Sequence, residues 1–236
     1  MFTVKKGKMI LLIGGTATLL TFLATVYDPE KEKKESTANA VTALQNKKEE
    51  LQENSSKKEE VHWAENNPII AHALGEIDGH IYTNSKEAFL SSYEKGLRVL
   101  EVDLVFTNDD KLVARHYWSE YTTSELGVTP INGKEDEVLS YFEFKNMKIH
   151  GKYTPMSFKD VVRLMEKYPD AYIVIDSKEE DYMKLYNEII QTAKEVDESI
   201  LDRIIPQFYK EEMFEIKELY PFKSTIFSLY LAGQQE

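Results

Sequence analysis

The run VLEVDLVF, residues 99–106, is the feature that most narrows what this chain can fold into. Strand side chains alternate between faces. Glu101 and Asp103 therefore share a face with Val99 and Val105, while Leu100, Val102, Leu104 and Phe106 share the other. Both faces are largely apolar, which suits a strand buried on two sides, as in a parallel sheet. Two carboxylates in such a strand are costly unless something positive lies between them, and a metal ion is the simplest counter-charge. The competing reading is a half-exposed strand with two solvated acids, since carboxylates are usually at the surface. The valines on the acids' own face oppose it.

The neighbouring segments carry more chemistry. Ile69 to Ala73 reads as a first strand that delivers His72 near its end, and Lys111 to Tyr117 as a third that delivers His116. Either histidine alone would more often be structural; their placement at the ends of adjacent strands gives them weight. Ala171 to Lys178, AYIVIDSK, reads as a further strand with Asp176 and Lys178 on one face. An aspartate there also suits the cap of the following helix. The connection 74–83 brings Glu76, Asp78 and His80 within possible reach of a metal. Residues 120–152 lack clear periodicity and read as a long active-site loop. Trp118, Tyr121, Tyr141, Phe142 and Phe144 are its candidates for apolar substrate contact.

Helices alternate with these strands. Asn84 with Glu87 makes an N-capping signature, followed by Phe89, Leu90, Tyr93 and Leu97 on a buried face. Ser157 with Asp160 opens a second helix, which Pro169 ends. Tyr182 to Val196 is amphipathic. Ile200 to Tyr209 reads as a strand, in which Gln207 is a weak candidate ligand contact; 211–219 reads as a helix and 222–231 as a last strand. Alternation of this kind argues for an α/β fold with parallel strands.

The ordered set His72, Asn84-Ser85 before Ala88-Phe89, Glu101-x-Asp103, the turn 107–110 (Thr-Asn-Asp-Asp) and His116 resembles the glycerophosphodiester phosphodiesterases. It is similar also to their bacterial relatives in the phosphatidylinositol-specific phospholipase-C-like superfamily. The resemblance spans about Pro68 to Tyr230. It implies a TIM barrel, a divalent cation (Ca²⁺ or Mg²⁺) held by Glu101, Asp103 and Asp176, and His72 and His116 as general acid and base on a phosphodiester. It further implies Lys178 as a contact to the phosphate. The chain departs from the pattern in three places. Ala73 and Leu74 stand where the family has Arg-Gly, Thr83 precedes Asn84 where it has Glu, and Tyr117 follows His116 where it has Asp. The departures touch the substrate's surroundings more than the metal and histidine positions.

Residues 1–8 are basic, and 9–27, MILLIGGTATLLTFLATVY, are free of charge. About 20 apolar residues cross a bilayer core as a helix. Lys5, Lys6 and Lys8 favour a cytoplasmic N-terminus, which would put the rest of the chain outside the cytoplasm on a single-pass cell-membrane anchor. A cleaved signal peptide is the alternative, but no convincing small-x-small site follows the run. Residues 28–67, rich in Lys and Glu, read as a charged spacer. The net charge of -12 argues against nucleic acid as a main partner. The absence of cysteine excludes disulfides and thiolate metal sites.

An eight-stranded barrel takes about 250 residues, and rarely fewer than ~200. Residues 68–236 number 169 and hold six strands by this reading, so the barrel is expected to be incomplete at its C-terminal end by about two strand–helix units. Two functions suit such a chain. One is a metal-dependent phosphodiester hydrolase acting on glycerophosphodiesters or phospholipid head groups. The other is a non-catalytic, membrane-tethered binding or scaffold protein on a degenerate barrel.

Overall fold

The structure, a computed structural model, describes residues 62–128 and 137–229, besides the single residue Lys47. The expected anchor at 9–27 and nearly all of the 28–67 spacer lie outside the described residues. Among the described residues, no helix is long and apolar enough to cross a membrane. The chain divides into two units, 1–60 and 61–236, and the second holds the sheet and its helices.

The centre of that unit is the strand that the sequence marks out, β2 (Val99–Phe106), flanked by β1 (Ile70–Ala71), β3 (Leu112–Ala114), β4 (Tyr172–Ser177), β5 (Ile204–Phe208) and β6 (Ile226–Phe227). The sheet order is β1-β2-β4-β5-β6, all neighbours being parallel, with β3 antiparallel on β2. This curled parallel sheet with helices on one face fits part of a (β/α) barrel.

The expectation of six barrel strands needs correcting: among the described residues five are parallel, and β3 is the return arm of a hairpin. The physical cause is the short connection. Asn108, Asp109 and a left-handed Asp110 (φ 57) close the turn, whereas a parallel return needs a crossover of roughly a dozen or more residues. The last two elements also differ from expectation. Residues Glu211–Glu218 form a 3-10 helix, and β6 is two residues long.

The α-helices among the described residues are α1 (Trp63–Asn66), α2 (Lys86–Glu94), α3 (Glu120–Glu125), α4 (Tyr141–Asn146), α5 (Phe158–Lys167) and α6 (Tyr182–Val196). Ser157 and Asp160 form the expected capping box at α5, and Tyr168 ends it before Pro169. The outer face of the sheet, with Leu100, Val102, Leu104, Ile173 and Ile175, packs on Phe89, Val161, Met165, Leu185 and Ile189 of the helices. Burying each such side chain contributes about 1.5–3 kcal/mol. This layer makes β2 and β4 rigid supports.

The inner face is built in rows. Val99, Val174 and Ile205 are all but fully buried and form an apolar floor, covered by Trp63 of α1, Tyr172 and Ile226. On the same face Glu101 stands level with Val174 and one step beyond Val99, and above it Asp103 lies beside Asp176. The floor thus seals one end of the sheet, and the carboxylates stand on it toward the C-terminal ends of the strands.

Candidate active site

Parallel pairing sets Asp103 opposite Asp176 and Glu101 opposite Val174. Strand alternation then turns the three carboxylates to one side. Each offers an oxygen such that all three atoms lie within 4.8 Å of one another. All three residues are buried, at 5%, 2% and 8% exposure, which excludes the half-exposed strand. Glu101 Oε2 accepts from the Ala73 N–H at 2.6 Å, but Oε1 is buried and has no partner. Asp103 Oδ2 accepts from Asn84 Nδ2 at 2.8 Å, and Asp176 Oδ1 from the Tyr209 hydroxyl at 2.7 Å.

Burial and neighbouring charge raise the proton affinity of Glu101 and Asp103. Burial first, and then the charge of Asp103, push Glu101 up to about 9. Burial also raises Asp103, against the hydrogen bond from Asn84. The nearest cation, Lys178, has Nζ 3.8 Å from Asp176 Oδ2 and is half exposed. An orphaned buried oxygen and three crowded acids with an all-oxygen donor set fit a hard divalent cation.

The two histidines come to the same place. His72, its side chain 58% exposed, has Nε2 3.9 Å from Glu101 Oε2. His116 follows β3, held where the Arg115 N–H donates to the Asp103 carbonyl at 3.0 Å. Both line a cleft of 1180 Å³ together with Glu101, Asp176 and Lys178. The structure thus brings together His72, His116, Lys178, Glu101, Asp103 and Asp176, five of which line the cleft while Asp103 lies buried beside them.

Other expectations do not hold. Asp176 caps no helix: Asp181 caps α6. Asn84 caps none either, because Ser85 accepts from the Ala88 N–H and leaves Asn84 free to serve Asp103. Asp78 turns away to Lys152 Nζ at 2.7 Å and the Tyr153 hydroxyl at 2.6 Å, and His80 stacks on His150 at 3.6 Å. Glu76 is exposed and joins no cluster of ligands among the described residues. Of the loop aromatics, Phe144 is core and Trp118 donates to the Phe106 carbonyl at 2.7 Å, while Tyr121 and Phe142 face solvent. The aromatic rings on the cleft are Tyr82, Tyr182 and Tyr209, and Gln207 lines it too. Tyr209 was legible: Ile205, Gln207 and Tyr209 alternate on one face. Tyr82 carried no such signal.

The sequence matches no protein-family model and no curated protein. The fold does have solved counterparts. A Galdieria sulphuraria protein assigned to the glycerophosphodiester phosphodiesterases aligns at TM-score 0.55 and 18% identity, over 69% of this chain and 65% of that one. A glycerophosphodiester phosphodiesterase from Parabacteroides distasonis aligns at 0.51 and 18%, over 67% and 63%. An Oleispira antarctica phosphodiesterase, solved in complex with the product sn-glycerol-3-phosphate, aligns at 0.51 and 14%, over 70% and 68%. The chain spans less than two thirds of the length of the first two. Over the part it shares with them, this chain has the fold of these phosphodiesterases.

Proposed function

We propose that the chain is a metal-dependent phosphodiester hydrolase whose substrate is a glycerophosphodiester or a phospholipid head group. The observation that carries this reading is the buried, mutually close trio Glu101, Asp103 and Asp176 facing two imidazoles across one cleft. The trio would hold Ca²⁺ or Mg²⁺, which supplies Lewis-acid polarisation of a phosphoryl oxygen.

The chain's own groups do the rest. His72 and His116 divide the proton transfers: one takes the proton of the attacking hydroxyl or water, and the other gives one to the leaving alkoxide. Lys178 places positive charge at the cleft wall, next to Asp176, where charge on the phosphate grows. The apolar floor of Val99, Val174 and Ile205 keeps water from the far side of the acids. A substrate with a neighbouring hydroxyl would attack its own phosphorus and give a cyclic phosphate. The apolar run 9–27 would hold the domain at the cell membrane, outside the cytoplasm and close to lipid head groups.

The test is turnover by the full chain in detergent micelles. Glycerophosphodiesters and intact phospholipids are offered with Mg²⁺, Ca²⁺ or chelator. Turnover that chelator abolishes and His116→Gln removes supports the hydrolase. Binding of cation and ligand without turnover would replace it with the scaffold reading. A reporter fused to the C-terminus, active only outside the cytoplasm, checks the topology.

A further inference from the structure

We propose that Tyr82 is the positioning residue of the histidine pair: its ring stands between the two imidazoles and sets their spacing and facing. The proposal rests on the reading of His72 and His116 as the acid–base pair. The Tyr82 ring meets His72 edge-on, with centroids 4.8 Å apart, and meets His116 tilted at 5.3 Å. One side chain therefore touches both.

Among the described residues, neither apolar packing nor a side-chain hydrogen bond accounts for a tyrosine there. Tyr82 is only partly buried and belongs to none of the apolar clusters. Its hydroxyl makes no hydrogen bond among the described residues. Its backbone is left-handed (φ 59), as is that of Asn84 two residues on (φ 46). A non-glycine residue held in that region is strained, and such strain persists only where the surroundings impose it.

Here they do so from both sides. On one side Ile77 and His80 pair through their backbones at 3.0 and 2.9 Å, Asp78 is tied to Lys152 and Tyr153, and His80 lies on His150. On the other, the Thr83 and Ser85 hydroxyls pair at 3.0 Å, and Asn84 is fixed to Asp103. Tyr82 is the one residue between these anchors that turns into the cleft while Ile81, 49% exposed, faces solvent.

His72 needs such a neighbour. It is more exposed than buried, and its nearest charged partner, Glu101, is 3.9 Å away, too far for a firm hydrogen bond. An edge-to-face aromatic contact is enough to shift a side chain's rotamer population by roughly 2- to 12-fold. Holding both imidazoles at one wall is then the ring's contribution, and the hydroxyl is dispensable.

The test compares Tyr82→Phe with Tyr82→Leu in the full chain. With glycerophosphodiester and cation, Leu is expected to lower kcat by roughly 10- to 100-fold with KM changed less than about threefold, and Phe to restore kcat to within about threefold of the parent. A second readout needs no turnover. In ¹³C-histidine spectra, the ring-current shifts at Cε1–H of His72 and His116 should both move in Leu and stay in Phe. Loss of kcat in Phe as deep as in Leu would overturn the proposal, as would imidazole signals unmoved by Leu. If Leu does not fold, Tyr82→Met removes the ring at similar volume. A parent chain that hydrolyses nothing defeats the acid–base reading alone, because the spectra still report where the ring stands.

Discussion

Asn84 grips Asp103 at two points: its Nδ2 donates to Oδ2 at 2.8 Å, and its Oδ1 accepts from the Asp103 backbone N–H at 3.1 Å. Both residues are all but fully buried. Asn84→Ala leaves two buried groups without partners, at a cost of about 1–3 kcal/mol each. It also frees a candidate ligand, and loss of such a support typically weakens metal binding by about 10- to 100-fold. Urea unfolding and cation calorimetry measure the two effects. Because φ at position 84 is 46, Asn84→Gly separates the lost amide from backbone strain.

Glu101 makes the stability of the cation-free protein depend on pH. Its folded-state proton affinity, at about 9, lies well above the ordinary value of 4.5. Between those values the folded chain keeps a proton that the unfolded chain has released. The contribution of Glu101 to stability is therefore full at low pH and is lost as pH rises through this window, and the raised Asp103 adds in the same direction. Melting temperature in chelator should decline from about pH 5 toward pH 9, and saturating Ca²⁺ or Mg²⁺ should reverse the decline. Glu101→Gln should flatten the curve and abolish the rescue. Cation binding near pH 7 should also release protons, seen as a buffer-dependent heat.

Gly75 tolerates no side chain. It is left-handed (φ 101), and a Cβ there would collide with Ser92 Oγ, the hydroxyl that donates to the Leu74 carbonyl at 2.8 Å. Gly75→Ala should cost about 3 kcal/mol or more in thermal or urea unfolding. Adding Ser92→Ala should recover part of that by removing the clash, while the backbone strain remains.

Arg115 is a buried guanidinium, 3% exposed, which burial lowers to about 10. Its Nε donates to the Tyr117 carbonyl at 2.8 Å, a terminal guanidinium nitrogen donates to Thr123 Oγ1 at 2.9 Å, and its Cζ lies over the Trp118 ring, 4.6 Å from the centroid. It thereby clamps the segment on either side of His116. Arg115→Lys should not substitute, because an ammonium lacks the planar fork. We expect a loss of about 2–4 kcal/mol in urea unfolding and a kcat lowered with it. Equal stability in the lysine variant would count against the clamp.

The sequence by itself determined what lies within a few residues. Strand alternation put Glu101 and Asp103 on one face of β2, and the valines beside them foretold burial. Ser157 with Asp160 marked the start of α5, and apolar spacing bounded α6 at Tyr182 and Val196. These features are set by the backbone's own period and by hydrogen bonds spanning three residues. The tertiary structure alone decided what depends on partners far along the chain. Register across parallel strands made Asp176 the neighbour of Asp103, 73 positions away. The need of a buried Asp103 for donors took Asn84 from its expected cap, since the adjacent Ser85 could cap instead. A two-sided anchoring of the 74–83 loop turned Tyr82 toward the histidines.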